Sequence, residues 1–131
     1  MQGGISAIEW TVYGKIKSIT KTTGDVLTFA YDATGNRVMK KFDPVTGTTI
    51  YTYYNRDAHG NVMASYTREK GATDSIFLSE LHIYGSKRLG YAGLHVKMTS
   101  ALPGNDFYSR YLGTKRYELT NHLGNVMIVF T

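Results

Sequence analysis

The chain has 131 residues, about one domain by size, and with 42% apolar and 19% charged residues it is not a disordered segment. Its 11 tyrosines and 5 phenylalanines favour pleated, half-buried surfaces, so the composition leans to β-structure. The 15 basic residues exceed the 10 acidic ones, giving +5, but they are scattered from Lys15 to Arg116 and lack the clustering of a nucleic-acid interface; cysteine is absent, which removes disulfide frameworks, thiolate metal sites and cysteine nucleophiles.

From the N-terminus, Met1 to Trp10 has neither a basic leader nor an apolar signal core, and no apolar run in the chain is long enough to span a bilayer as a helix. Turn signals follow at Thr22-Thr23-Gly24-Asp25, Asp32-Ala33-Thr34-Gly35-Asn36, Asp43-Pro44-Val45-Thr46-Gly47, Asp57-Ala58-His59-Gly60-Asn61 and Lys70-Gly71-Ala72-Thr73-Asp74. Their spacing of about ten to thirteen residues predicts short antiparallel strands joined by hairpins. The strands expected between them are Lys15 to Lys21, Val26 to Tyr31, Arg37 to Phe42, Thr48 to Asn55, Val62 to Arg68 and Ser75 to Tyr84. Leu27, Phe29 and Tyr31 share one face, and Val62, Ala64 and Tyr66 alternate with Met63, Ser65 and Thr67, as a period of two requires.

Residues 8–84 are therefore read as regular hairpins of a single β-rich module. Residues 85–116, interrupted by Gly85, Gly90, Gly93, Pro103, Gly104 and Gly113, read as a loop-rich insert or bent strand pair with no strand longer than about five residues. Pro103 to Tyr111 is the place expected for a short helix. Residues 117–131 form a closing hairpin, with Asn121 to Asn125 as its turn and Val126 to Phe130 as the returning strand. An apolar final strand of this kind calls for a neighbour.

An internal repeat organises the turns: Tyr31-Asp32-Ala33-Thr34-Gly35-Asn36-Arg37, then Arg56-Asp57-Ala58-His59-Gly60-Asn61, then Asn121-His122-Leu123-Gly124-Asn125. Asp or Asn can cap each turn through its side chain, and Gly-Asn supplies residues tolerant of positive φ. The second copy lacks a contiguous Tyr-Asp, the third has Asn121 in place of Asp, and only the first carries Gly-Asn-Arg.

At these residues the sequence resembles the YD-repeat, or RHS-repeat, proteins. Tyr31-Asp32 followed by Gly35-Asn36-Arg37 is similar to the repeat's defining signature. Trp10 to Ile16, Leu81 to Gly90 and Tyr117 to Val126 are similar to the portion leading into the RHS-associated core of Bacteroidetes-like members. The resemblance implies a strip of β-hairpins that, in complete members, spirals into a hollow shell enclosing a C-terminal toxin or effector domain. It implies a secreted or cell-surface location, with the rest of the shell, or further copies of the chain joined through exposed strand edges, as partners. Its known self-cleavage uses an aspartyl D-P-x-G motif. Asp43-Pro44-Val45-Thr46-Gly47 has its glycine one residue late and reads as a type I turn with proline at the second position.

Other candidate chemistry is sparse. His59, His82, His95 and His122 have no histidine partner at metal-ligand spacing, and there is no EF-hand-type acidic run, nucleophile elbow or phosphate loop. His59 and His122 read as solvent-facing turn residues, and His82, alternating with Glu80 and Tyr84, as part of an ordinary polar strand face. Tyr51, Tyr53, Tyr54, Tyr66, Tyr84 and Tyr91 could pack across strands or form an aromatic platform for a glycan. The expectation is thus an all-β antiparallel hairpin meander, either a strip of an RHS/YD-type shell or a small curled sheet or barrel. Its repeat residues Tyr31, Asp32, Gly35, Asn36, Arg37, Asp57, Gly60, Asn61, Asn121, Gly124 and Asn125 are structural, with no catalytic residue, cofactor or metal. The alternative is a surface adhesin or carbohydrate-binding module.

Overall fold

The computed structural model describes residues 4–71, 74–98, 113–121 and 123–131. They form ten strands: β1 (Ile5–Trp10), β2 (Ile16–Lys21), β3 (Val26–Tyr31), β4 (Arg37–Asp43), β5 (Thr49–Arg56), β6 (Val62–Lys70), β7 (Ile76–Tyr84), β8 (Arg88–Met98), β9 (Lys115–Thr120) and β10 (Val126–Phe130). The spatial order is the chain order, an antiparallel meander, and no described residue is helical. The fold is all-β, as the turn spacing predicts. A closed barrel would require the first and last strands to exchange ladder hydrogen bonds; β1 and β10 stand at the two ends of the order, so the barrel form of the expectation is not met.

Two strands depart from the sequence reading. β1 was not anticipated, because its two register shifts, between Ile5 and Ala7 and between Glu9 and Trp10, break the alternation by which a strand is recognised. The larger correction is β8, an 11-residue strand inside the segment read as loop-rich. Its Gly90 is not a breaker: it pairs with Tyr117, and a Cβ there would overlap the backbone carbonyl oxygen of Arg116. Glycine within a strand can mark a close backbone approach as well as a turn. Beyond Gly90 the strand alternates, with Leu94 and Val96 half-buried and Gly93, His95 and Lys97 exposed. The short helix expected at Pro103 to Tyr111 lies outside the described residues.

The chain divides into two compact units, Met1–Tyr54 with Thr67–Ile76, and Asn55–Tyr66 with Phe77–Thr131. In unit 1 the register carries an apolar row across five strands: Ile8 opposite Ile19, Ile19 opposite Leu27, Leu27 opposite Phe42, and Phe42 opposite Ile50. The opposite face carries Ser18, Thr28, Lys41 and Tyr51 in register. No described residue of this unit is buried. Its strands are held by ladder hydrogen bonds and by cross-strand pairs whose side chains shield one another within a single layer.

Unit 2 contains what core there is. Ala64, Ser65 and Ala92 are buried, and these small residues sit on β6 and β8. Phe77 and His95 stack with ring centroids 4.3 Å apart, and Tyr117 stacks on Phe130 at 5.8 Å. At β10 every residue from Val126 to Phe130 is exposed, although all five are apolar.

Candidate functional site

The repeated turns share one backbone geometry. In the first copy the Asp32 N–H donates to Asn36 O at 2.9 Å and the Gly35 N–H donates to Asp32 O at 3.0 Å; Gly35 has φ +84°. The same two bonds recur from Asp57 to Asn61, with Gly60 at +88°, and from Asn121 to Asn125, with Gly124 at +86°. This is a turn followed by a left-handed residue, the arrangement of a three-residue hairpin loop with a glycine bulge. Glycine is required there because a Cβ is disfavoured at that φ.

The first residue completes the loop through its side chain. Asp32 Oδ1 accepts the N–H groups of Thr34 and Asn36, both at 2.9 Å, and the Thr34 hydroxyl at 2.7 Å. Asp57 Oδ1 accepts from the His59 and Asn61 N–H groups at 2.9 Å. Asn121 Oδ1 does the same for Leu123 and Asn125, so a neutral amide serves as well as a carboxylate. The Thr34 hydroxyl, followed by the Asn36 N–H, holds Asp32 below the usual carboxylate pKa. The Asn61 side chain and N–H do the same for Asp57. These acceptors stabilise the turn.

Two tyrosines, Tyr31 of the first repeat copy and Tyr84 outside the copies, tie neighbouring strands together. Tyr31 Oη donates to Ile16 O, the first carbonyl of β2, at 2.8 Å, and Tyr84 Oη donates to Val62 O, the first carbonyl of β6, at 2.9 Å. Arg37 lies over the Phe29 ring at 4.3 Å, a cation–π contact. In the second copy Arg56 Nη1 donates to Gly60 O at 2.6 Å.

Two further loops with the same backbone pattern were missed as repeat copies. Thr11 to Lys15 and Lys21 to Asp25 have the same paired bonds, with Gly14 at +72° and Gly24 at +91°. Their signal in the sequence was glycine at the fourth position, obscured because threonine and lysine replace Asp at the first.

A second group of side chains gathers in unit 2. His82 Nε2 lies 3.5 Å from Glu80 Oε2, and Ser65 Oγ donates to the same oxygen at 3.5 Å. Tyr91 tilts against His82 with centroids 6.4 Å apart, while Arg88 and Arg116 lie 5.8 and 5.9 Å from the Tyr91 ring. Arg88 Nη2 pairs with Glu118 Oε1 at 2.8 Å.

This corrects the reading of His82 as a residue of an ordinary polar face. Its side chain is only 8% exposed, and its buried Nδ1 has no hydrogen-bond partner. Burial, then the positive charge of Arg88, lowers its pKa from 6.5, with Glu80 opposing. The group does not assemble an activated nucleophile: the carboxylate stands between the hydroxyl and the imidazole, whereas a serine is activated by direct contact with its base.

The proposed tyrosine platform is partly used for packing. Tyr51 and Tyr53 stack with centroids 6.2 Å apart and planes 6° from parallel, and Lys41 lies over Tyr51 at 6.0 Å. Among the described residues no cluster of three or more His, Cys, Asp or Glu side chains is arranged to hold a metal ion. His122 lies outside them. No protein-family model matches the chain, and no curated protein matches it.

Proposed function

We propose that the chain is a structural module of the RHS/YD-repeat kind, forming part of a β-shell that encloses or scaffolds a toxin or effector domain. The observation that carries this reading is the recurrence of one hairpin loop at Asp32, Asp57 and Asn121, with the chemically suggestive side chain engaged by its own turn. The tyrosine bonds from Tyr31 and Tyr84 to the preceding strand support it, because they join successive hairpins. The apolar β10 suits a strand made to receive a neighbour from the remainder of a shell or from another copy. On this reading the module performs no catalysis and acts at the cell surface or after secretion.

The stacked Tyr51–Tyr53 pair favours a second reading, an adhesin or carbohydrate-binding module. A glycan array probed with the purified chain separates the two. The structural reading expects no binding above background, and specific binding abolished by Tyr51→Ala or Tyr53→Ala, with the β circular-dichroism spectrum retained, would replace it with the carbohydrate one.

A further inference from the structure

The side chains of His82 on β7 and Glu118 on β9 are only 8% and 9% exposed, whereas their partners Glu80 and Arg88 are 44% and 41% exposed. Around the imidazole gather Ser65 of β6, Glu80 of β7, Arg88 and Tyr91 of β8, and Arg116 and Glu118 of β9, all within unit 2. Arg116 Nη1 donates to Tyr91 Oη at 3.3 Å. Two carboxylates and two guanidiniums thus surround one imidazole, and the inner carboxylate, Glu118, is held by Arg88 Nη2 at 2.8 Å.

A carboxylate only accepts hydrogen bonds, so Glu80, 3.5 Å from Nε2, fixes the proton of the neutral ring on that nitrogen and leaves Nδ1 as an unpaired acceptor. An unpaired neutral acceptor costs little beside a buried charge. A proton added at Nδ1 makes a cationic donor without a partner, which burial penalises far more heavily. Arg88 repels that cation, and Glu80 already takes the other N–H. The remaining carboxylate that favours the protonated ring is Glu118. Of the two cations that then compete for it, Arg88 lies nearer solvent and is hydrated when released, whereas the imidazolium is enclosed. We propose that Glu118 is the acceptor in a proton-operated exchange: it holds Arg88 while His82 is neutral, and turns to the imidazolium and releases Arg88 to solvent when His82 is protonated. The exchange takes up one proton from solvent at Nδ1 and removes a side-chain tie between β8 and β9. It is a property of unit 2 and does not depend on membership of a shell.

The test follows the full chain by NMR from about pH 7.5 to about pH 5, observing the His82 ring carbons, the Glu118 carboxyl carbon and the Arg88 Nε–H. All three should change together at a midpoint below 6.5, with the Arg88 Nε–H exchanging faster on the acid side. Arg68, paired with Asp74 at 2.7 Å in unit 1, should not change. His82→Gln should keep Arg88 on Glu118 throughout. Glu118→Gln should lower the His82 midpoint and abolish the linked change at Arg88. Arg88→Gln, at a more exposed position that tolerates substitution should Glu118→Gln fail to fold, should raise the midpoint. Separate transitions at His82 and Arg88, an Arg88 change that survives His82→Gln, or a His82 midpoint unmoved by Arg88→Gln would overturn the proposal. Collapse of amide shift dispersion across unit 2 at the His82 midpoint would overturn it in favour of acid unfolding.

Discussion

In unit 1 the apolar side chains of five strands lie in a row on one face, and no described residue is buried. In unit 2 burial is confined, among the described residues, to four positions, Ala64, Ser65, Gly90 and Ala92, and Gly90 lies against the backbone of the neighbouring strand. Both units use the same hairpin loop, so the loop does not account for the difference. What differs is how closely the strands approach and what lies over them. Unit 1 distributes its stabilisation over ladder bonds, turns and cross-strand pairs. Unit 2 adds one point, Gly90, where a Cβ would meet backbone; the tightest glycine of unit 1, Gly24, faces only the Val45 side chain.

Gly90→Ala tests this difference most severely. Its Cβ would meet the Arg116 carbonyl, a backbone atom that cannot rotate away. The cost expected is about 3 kcal/mol, at the upper end of the usual range for overpacking. Gly35→Ala in unit 1 meets only the flexible Lys15 side chain, with its nearest atom at 3.5 Å, and is opposed mainly by its φ of +84°. That substitution should cost about 1 kcal/mol. Urea unfolding measures both, and equal costs would remove the distinction between a close backbone approach and an ordinary turn glycine.

A smaller effect examines what the units share. Tyr31→Phe and Tyr84→Phe each delete one hydroxyl bond to the first carbonyl of the preceding strand. Each should lower stability by about 1 kcal/mol, with hydrogen exchange quickening locally at β2 for the first and at β6 for the second. If either substitution were neutral, the tyrosine would be a packing residue in that unit and the strand-to-strand tie would not be common to both.

These particulars show which features were legible in the sequence. The loops at Asp32, Asp57 and Asn121 were legible because their causes are local: a side-chain acceptor, a glycine and a following polar residue within five positions. The tyrosine ties were not, because Ile16 and Val62 become partners only through strand register. β8 was hidden because the reason for Gly90 lies on β9, about twenty-five residues away in a close-approach pattern that sequence signals do not reveal. His82 could be assigned to a strand face by alternation, but its burial depends on contacts such as Tyr91 from another strand.

The mildest perturbation is acidification. The described histidines, His59, His82 and His95, all belong to unit 2. His82 has a folded-state pKa lowered from 6.5, chiefly by burial and then by Arg88, while Glu80 opposes; Glu118 also opposes, and Tyr91 faces the ring. The unfolded chain therefore takes up this proton first as pH falls. The stabilisation is complete above the unfolded value of about 6.5 and is lost as pH falls towards the lower folded value. Between about pH 7.5 and about pH 5, β7 and β8 should lose more amide protection than β3 and β4, after correction for intrinsic exchange. His82→Gln should abolish that difference. Asp32 and Asp57 do not supply an alternative explanation, because hydrogen bonds hold both below 3.8 and their stabilisation is lost only at still lower pH. A parallel loss in both units, unchanged in the glutamine variant, would place the acid-sensitive group elsewhere and leave the buried imidazole as packing alone.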